Sequence, residues 1–301
     1  MVHDVIVVGG AFAGLSAALQ LARARRSVLV IDAGQPRNRF AAHSHGFLGQ
    51  DGRTPADILA TAREQLRAYR TAMLTSGEAT SARWSARGFE VATGDGQVIH
   101  GSRLILTTGV KDTLPPVAGL DEEWGKSVFV CPYCDGYEVG GGAIGVLATG
   151  PMSSHQAMLL TEWGDVTFFL NGAAELDDGQ RAELAGRGVT IETTAVNRWT
   201  RERDGTVGFD MADGRRSKVK ALFTGPRISM ASPIAEQLGL DFEQGPLGPY
   251  VRVDDRQRSS VANVFAAGDA ARPMHSVALA VAGGAMAGIA AHQSLVFEAA
   301  A

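Results

Sequence analysis

The chain has 301 residues, with 28 Lys or Arg against 32 Asp or Glu and a formal charge of −4. That length is enough for about two domains with separate cores, and the acidic balance gives no electrostatic case for nucleic acid or an anionic membrane surface. The partner expected is a small molecule or a protein.

The chain begins Met1-Val2-His3-Asp4 and runs straight into apolar residues, with no basic segment or small-residue cleavage site, which predicts a cytoplasmic protein. Val5–Val8 is a continuous apolar run ending in Gly9-Gly10. Leu15, Ala18, Leu19 and Ala22 follow at helical spacing, and Val28–Ile31 leads to Asp32. This pattern predicts a βαβ unit. Read as a dinucleotide fingerprint, Gly9 makes the tight turn and Gly14 lets helix and strand pack closely, with Phe12 and Ala13 between them. Ala11 stands where a second glycine is usual. Asp32, at the carboxyl end of the second strand, is the acid expected on an adenosine ribose. The alternative is a plain strand-turn-helix of any α/β fold.

After this strand come Pro36-Arg37-Asn38-Arg39 and then His43 and His45. Arg37 or Asn38 is placed to meet the adenosine or phosphates of a dinucleotide, or is simply an exposed basic loop. Thr54-Pro55-Ala56-Asp57 predicts an N-cap, a proline at the first helical position and an acid in the first turn, with the helix running to about Tyr69. Strands are expected at Phe89–Ala92 and Leu104–Thr107, the latter closing at Thr108-Gly109. Pro115-Pro116 marks a domain crossing.

The only two cysteines lie in Cys131-Pro132-Tyr133-Cys134-Asp135-Gly136. Two thiols at this spacing can form one disulfide, and a thiolate in the first turn of a helix is stabilised by unpaired N–H groups and the dipole end. The competing readings are two small buried hydrophobes, half a zinc site lacking regularly spaced further ligands, or a structural bridge closing a very short loop. No metal is expected.

A second βαβ is predicted from Ala143–Leu147 through a helix at about Ser153–Trp163 to Val166–Leu170. Its turn, Ala148-Thr149-Gly150-Pro151-Met152-Ser153, lacks the first glycine and carries a proline. The next strand ends Leu170-Asn171-Gly172, with neither an acid for a ribose nor an arginine for a 2′-phosphate. Pyridine nucleotide binding there is therefore in question.

Pro246, Gly248 and Pro249 suit a return crossing, and Val264–Ala267 predicts a buried strand ending in Gly268-Asp269, with Asp269 aimed at a polar chain such as a ribitol. The small-residue run Val277–Ala291 is expected to be a buried helix too short to cross a bilayer, its N-terminus at Ser276 and Val277 turned toward the cofactor ring. The fold expected is α/β, with two Rossmann-like three-layer domains. A discontinuous dinucleotide domain takes residues 1–114 and 246–301, and an inserted NAD(P)-type domain at 115–245 carries the cysteines.

Taken in order, Gly9-Gly10-Ala11-Phe12-Ala13-Gly14, Cys131–Gly136 and Gly268-Asp269 resemble the low-molecular-weight thioredoxin reductase family over nearly the whole chain. The resemblance implies a homodimer with one FAD per subunit, Cys134 against the isoalloxazine, Cys131 exchanging with the substrate sulfur, and Asp135 assisting proton transfer. Expected FAD contacts are Gly9, Ala11, Phe12, Ala13, Gly14, Asp32, Arg37, Gly109, Gly268, Asp269, Ser276 and Val277. His45 is a candidate base near the flavin.

The departures at Thr149-Gly150 and Asn171-Gly172 resemble a divergent branch that includes FAD-dependent dithiol oxidases, which pass electrons from a dithiol to FAD and then oxygen. The function expected is an FAD-dependent thiol-disulfide oxidoreductase acting on a thioredoxin-like protein or a small-molecule dithiol or disulfide. Use of NADPH is left open. The alternatives are an NADPH-dependent thioredoxin reductase and a non-enzymatic redox sensor.

Overall fold

The computed structural model describes residues 2–202 and 206–298. They fall into two compact units. The first takes the N-terminal stretch to Arg39, Phe47–Lys111 and the chain from Ile228 onward, and the second takes Phe40–Gly46 and Asp112–Arg227.

In the first unit β1 (Val2–Val8), α1 (Phe12–Arg23) and β2 (Val28–Asp32) form the predicted βαβ start, and α2 (Pro55–Arg67) leads to β3 (Ala72–Ser76), β4 (Ala79–Ser85), β5 (Gly88–Thr93) and β6 (Val98–Leu106). The chain leaves along β7 (Val110–Thr113). The second unit then contains α3 (Leu120–Glu123), β8 (Val128–Phe129), α4 (Pro132–Val139), β9 (Ala143–Leu147), α5 (Ser153–Leu160), β10 (Asp165–Phe169), α6 (Asp178–Gly186), β11 (Thr190–Glu192), β12 (Val196–Arg201), β13 (Val207–Met211), β14 (Arg216–Val219) and β15 (Ala221–Thr224). The return runs through β16 (Arg227–Met230), α7 (Ile234–Gln237), β17 (Phe242–Gln244), β18 (Pro249–Val251), β19 (Val264–Ala266) and α8 (Val277–Phe297).

The first sheet has the order β3-β2-β1-β6-β5-β4, with β19 also paired to β6, so both ends of the chain build it. β1 is parallel to β2 and β6, with Val7 opposite both Val30 and Ile105. Its apolar run is continuous because both faces are covered. Val5 and Val7 enter a core with Leu15, Leu21 and Ala287, while Ile6 and Val8 enter another with Phe89, Leu104 and Leu240. Each such fully buried aliphatic side chain contributes about 1.5–3 kcal/mol.

α8 packs on α1 at backbone distance. A Cβ at Gly284 would overlap the backbone of Ala13 and one at Gly288 that of Ala17, so both positions must stay glycine for the helices to meet. The helix runs six residues past the predicted apolar stretch, to Phe297. Its 21 residues are long and apolar enough to cross a membrane by length and composition, which corrects the expectation that it is too short. His292–Phe297 continue it because no breaker intervenes, and its most apolar window is 44% buried within the protein.

The second unit has a parallel sheet in the order β11-β10-β9-β15-β8 and a separate antiparallel sheet β12-β13-β14. Helix residues Ala157, Leu160 and Leu184 bury one side against Ile144, Val146 and Phe168. On the other side Trp199 stacks on Phe209 with ring centroids 5.4 Å apart, in a core with Leu147, Phe169 and Leu222. The sheet thus lies between a helical layer and an antiparallel one.

The compact units change at Lys111/Asp112 and Arg227/Ile228, where the sequence places crossings at 114/115 and 245/246. Ile234, Ala235, Leu240 and Val251 bury themselves with Ile6 and Leu104, which draws the segment before Pro246 into the first unit. Pro249 opens β18 of a hairpin with β17, so this turn lies inside that unit. The segment Phe40–Gly46 makes an excursion into the second unit that no composition break announces.

Candidate redox and dinucleotide sites

In the second unit Cys131 is the N-cap of α4, with extended backbone, and Pro132 occupies the first helical position. Proline there loses no hydrogen bond and presets φ for a helix. Cys131 and Cys134 form a disulfide with their Cα atoms 5.3 Å apart. The N–H groups of Cys134 and Asp135 approach the Cys131 carbonyl at 3.2 and 3.3 Å, so both sulfurs sit on one tight turn at the dipole's positive end. α4 rests on Trp163: a Cβ at the buried Gly136 would lie 3.1 Å from its ring, and Tyr133 meets the same ring edge-on at 5.7 Å.

Asp135 is half-buried, and burial is the first cause that pushes its carboxyl up to about 6. The charge of Glu138 pushes in the same direction and His45 pulls the other way. His45 arrives on the Phe40–Gly46 excursion, with Nδ1 3.5 Å from Glu138 Oε1. The structure therefore brings Cys131, Cys134, Asp135 and His45 into one unit. Glu138 and Trp163 are the members that sequence reasoning missed. The helical i,i+3 spacing of Asp135 and Glu138 could have found the first.

In the first unit the glycine turn closes on itself. Gly9 has φ +101°, and Thr107 Oγ1 donates to its carbonyl at 2.8 Å. A Cβ at Gly14 would overlap the Gly9 carbonyl oxygen, and one at Gly10 would lie 2.6 Å from Asp32 Cβ. Gly10 is therefore a third required glycine. Ala11 is the N-cap of α1 with φ −88°, a backbone any residue adopts, which is why a methyl group is accommodated there. Phe12 and Ala13 open the helix, whose first turn has no acidic residue and no side-chain cap, leaving its N–H groups suited to a phosphate.

Asp32 lies beside this turn. Its Oδ1 accepts from the Gly10 and Gly34 N–H groups at 3.2 and 3.1 Å, and its Oδ2 accepts from Arg63 Nη2 at 3.0 Å. At the second motif, Gly268-Asp269, Arg37 Nη1 donates to Asp269 Oδ2 at 2.9 Å and to His275 Nδ1 at 2.6 Å. Guanidinium only donates, so His275 Nδ1 carries the lone pair there and Nε2–H donates to the Arg272 carbonyl at 3.1 Å. Gly268 has φ +73°, and a Cβ there would lie 2.9 Å from that of Ala13, which brings the second motif against the first. Ser276 caps α8 by accepting the Leu279 N–H at 3.1 Å, and Val277 is the first helical residue. Gly109 has φ +70° just past β6. A glycine cradle that a Cβ would fill, an open helix N-terminus and carboxylates at two strand ends fit a dinucleotide such as FAD.

The corresponding turn of the second unit is occupied by its own atoms. Thr149 N–H donates to Ser153 Oγ at 2.9 Å, Ser153 N–H to the Gly150 carbonyl at 3.0 Å, and Pro151 has no N–H. Past β10, the Asn171 side chain accepts the Val196 N–H at 2.8 Å.

The family described as pyridine nucleotide-disulphide oxidoreductase matches residues 3–287. The chain belongs to that family. This pyridine nucleotide-disulphide oxidoreductase is 35% identical to thioredoxin reductase tcpT of Claviceps purpurea, covering 98% of this chain and 95% of that protein. It is 31% identical to thioredoxin reductase sirT of Leptosphaeria maculans, covering 95% and 92%. Among solved structures, an oxidoreductase from Agrobacterium tumefaciens superposes with a TM-score of 0.95 at 48% identity, covering 99% of this chain and all of that one. The protein is thus a thioredoxin-reductase-like, FAD-dependent oxidoreductase acting on sulfur groups, with two Rossmann-like α/β domains.

Proposed function

We propose that this oxidoreductase carries an electron pair from a dithiol substrate through Cys131 and Cys134 to FAD, with oxygen as the final acceptor and without a pyridine nucleotide. The observation that carries the reading is the self-occupied turn after β9, where Ser153 Oγ takes the Thr149 N–H that a diphosphate would need. Residues 1–114 and 246–301 act as the FAD domain. Gly9, Ala11, Phe12, Ala13, Gly14 and Asp32 hold the adenosine and diphosphate, with Arg37 on the phosphates. Asp269 after Gly268 takes the ribitol, and Gly109, Ser276 and Val277 border the ring. FAD, when bound, takes up the electron pair.

Within the inserted unit, residues 115–245 in the sequence reading, Cys131 receives the substrate sulfur and Cys134 leaves as thiolate, as the helix start favours. Asp135, with its proton affinity raised toward neutrality, moves the proton, with His45 in the same cluster. The substrate is a thioredoxin-like protein or a small-molecule dithiol, and the enzyme is a cytoplasmic homodimer.

A second reading, an NADPH-dependent thioredoxin reductase, is favoured by the names of the relatives tcpT and sirT. Anaerobic mixing separates the two. Bleaching of the flavin by a dithiol but not by NADPH supports the oxidase reading, and rapid bleaching by NADPH overturns it.

A further inference from the structure

Glu138 has no part in the reading above, yet it lies one helical turn after Asp135 and so shares its face of α4. His45 meets that face, with its Nδ1 3.5 Å from Glu138 Oε1. The segment that carries it, Phe40–Gly46, belongs to the same compact unit as the cysteines although its sequence neighbours on both sides belong to the other. A seated imidazole and a carboxylate beside the carboxyl next to Cys134 make a three-membered charge cluster at the disulfide.

We propose that Glu138 and His45 are positioning residues, a charge pair that keeps the Asp135 carboxyl ready to exchange a proton with the sulfurs of Cys134 and the incoming thiol. The proposal rests on the reading in which Asp135 serves the exchange. In that step the substrate S–H bond breaks and its proton goes to Asp135. The substrate sulfur bonds to Cys131 Sγ, the Cys131–Cys134 bond breaks, and the electron pair leaves on the Cys134 sulfur, which Asp135 reprotonates. The second substrate thiol then displaces Cys131 from the mixed disulfide, so two electrons and two protons pass from the dithiol to the cysteine pair.

The two charges act on Asp135 in opposite senses. Glu138 raises its proton affinity and His45 lowers it. The other titratable groups on this helix and the elements packed against it are Tyr133 and Tyr137 on α4, His155 on α5, Glu162 just after α5, and His43, whose ring centroid is 6.3 Å from that of His45. None of these five groups is among those that shift Asp135.

The test is rapid mixing of the holoenzyme with dithiothreitol, with timed alkylation to read opening of the disulfide between about pH 5 and pH 8. Glu138→Gln should move the Asp135 limb of that profile down by about half a unit and His45→Asn should move it up by a similar amount. Glu138→Asp, which keeps the charge, should hold the wild-type position. A limb that stays put in both Glu138→Gln and His45→Asn but vanishes in Asp135→Asn overturns the proposal. So does a shift in Glu138→Asp as large as that in Glu138→Gln, which would mark a packing role. A limb that persists in Asp135→Asn overturns the underlying role of Asp135 instead. If Glu138→Gln fails to retain the yellow colour, the His45→Asn shift decides alone.

Discussion

Arg63 Nη2 lies 3.0 Å from Asp32 Oδ2, so the carboxylate at the end of β2 has one oxygen on a guanidinium and the other on backbone N–H groups. This fixes its orientation toward the glycine turn. Charge-assisted bonds of this kind contribute about 1.5–3 kcal/mol when partly buried. Arg63→Ala is therefore expected to weaken FAD affinity about tenfold, and Arg63→Lys less. Titration of the apoprotein with FAD checks both, and equal affinity in all three proteins would contradict the role given to Arg63.

The glycine turn makes a paired prediction. Gly10→Ala places a methyl group against the Asp32 side chain and is expected to cost about 1–3 kcal/mol in stability and to lose FAD. Ala11→Gly, at a position with ordinary backbone, should change FAD retention little. Thermal melts and the flavin content of the purified variants give the comparison.

These two positions also show what was legible in the sequence. Apolar runs buried on both faces and helical spacing made β1, α1, β2, β9, α5, β10 and β19 readable, because their periods report burial directly. Gly9, Gly14 and Asp32 were readable because the turn demands those residue types. Gly10 was not, since its requirement comes from Asp32, 22 residues away. Arg63 and Trp163 were missed for the same reason: only tertiary packing gives them partners, whereas Glu138 carried a local signal in its i,i+3 spacing from Asp135. The excursion Phe40–Gly46 and the sheet β12-β13-β14 were likewise silent, the latter because its short strands share no regular alternation of buried and exposed residues.

Asp135 links the redox site to stability. Burial first, then Glu138, raise its carboxyl from 3.8 to about 6 in the folded protein. Below the unfolded value both states hold the proton and the group contributes nothing. As pH rises from about 4 to about 6 the unfolded state releases its proton more readily, so folding loses stability, and the loss levels off above that window. Asp135→Asn removes the effect. Its melting temperature relative to wild type is expected to be similar near pH 4 and to rise through pH 6, a gain of about 1–2 kcal/mol once partial exposure is allowed for. A difference independent of pH would contradict the raised proton affinity.

The most direct test of the account is anaerobic stopped-flow mixing of the FAD-loaded protein with a dithiol, following the visible flavin band. Wild type is expected to bleach, whereas Cys131→Ser and Cys134→Ser keep their colour before and after mixing because the electron pair has no sulfur couple to pass through. Bleaching at the wild-type rate in the double Cys131→Ser, Cys134→Ser variant would contradict it.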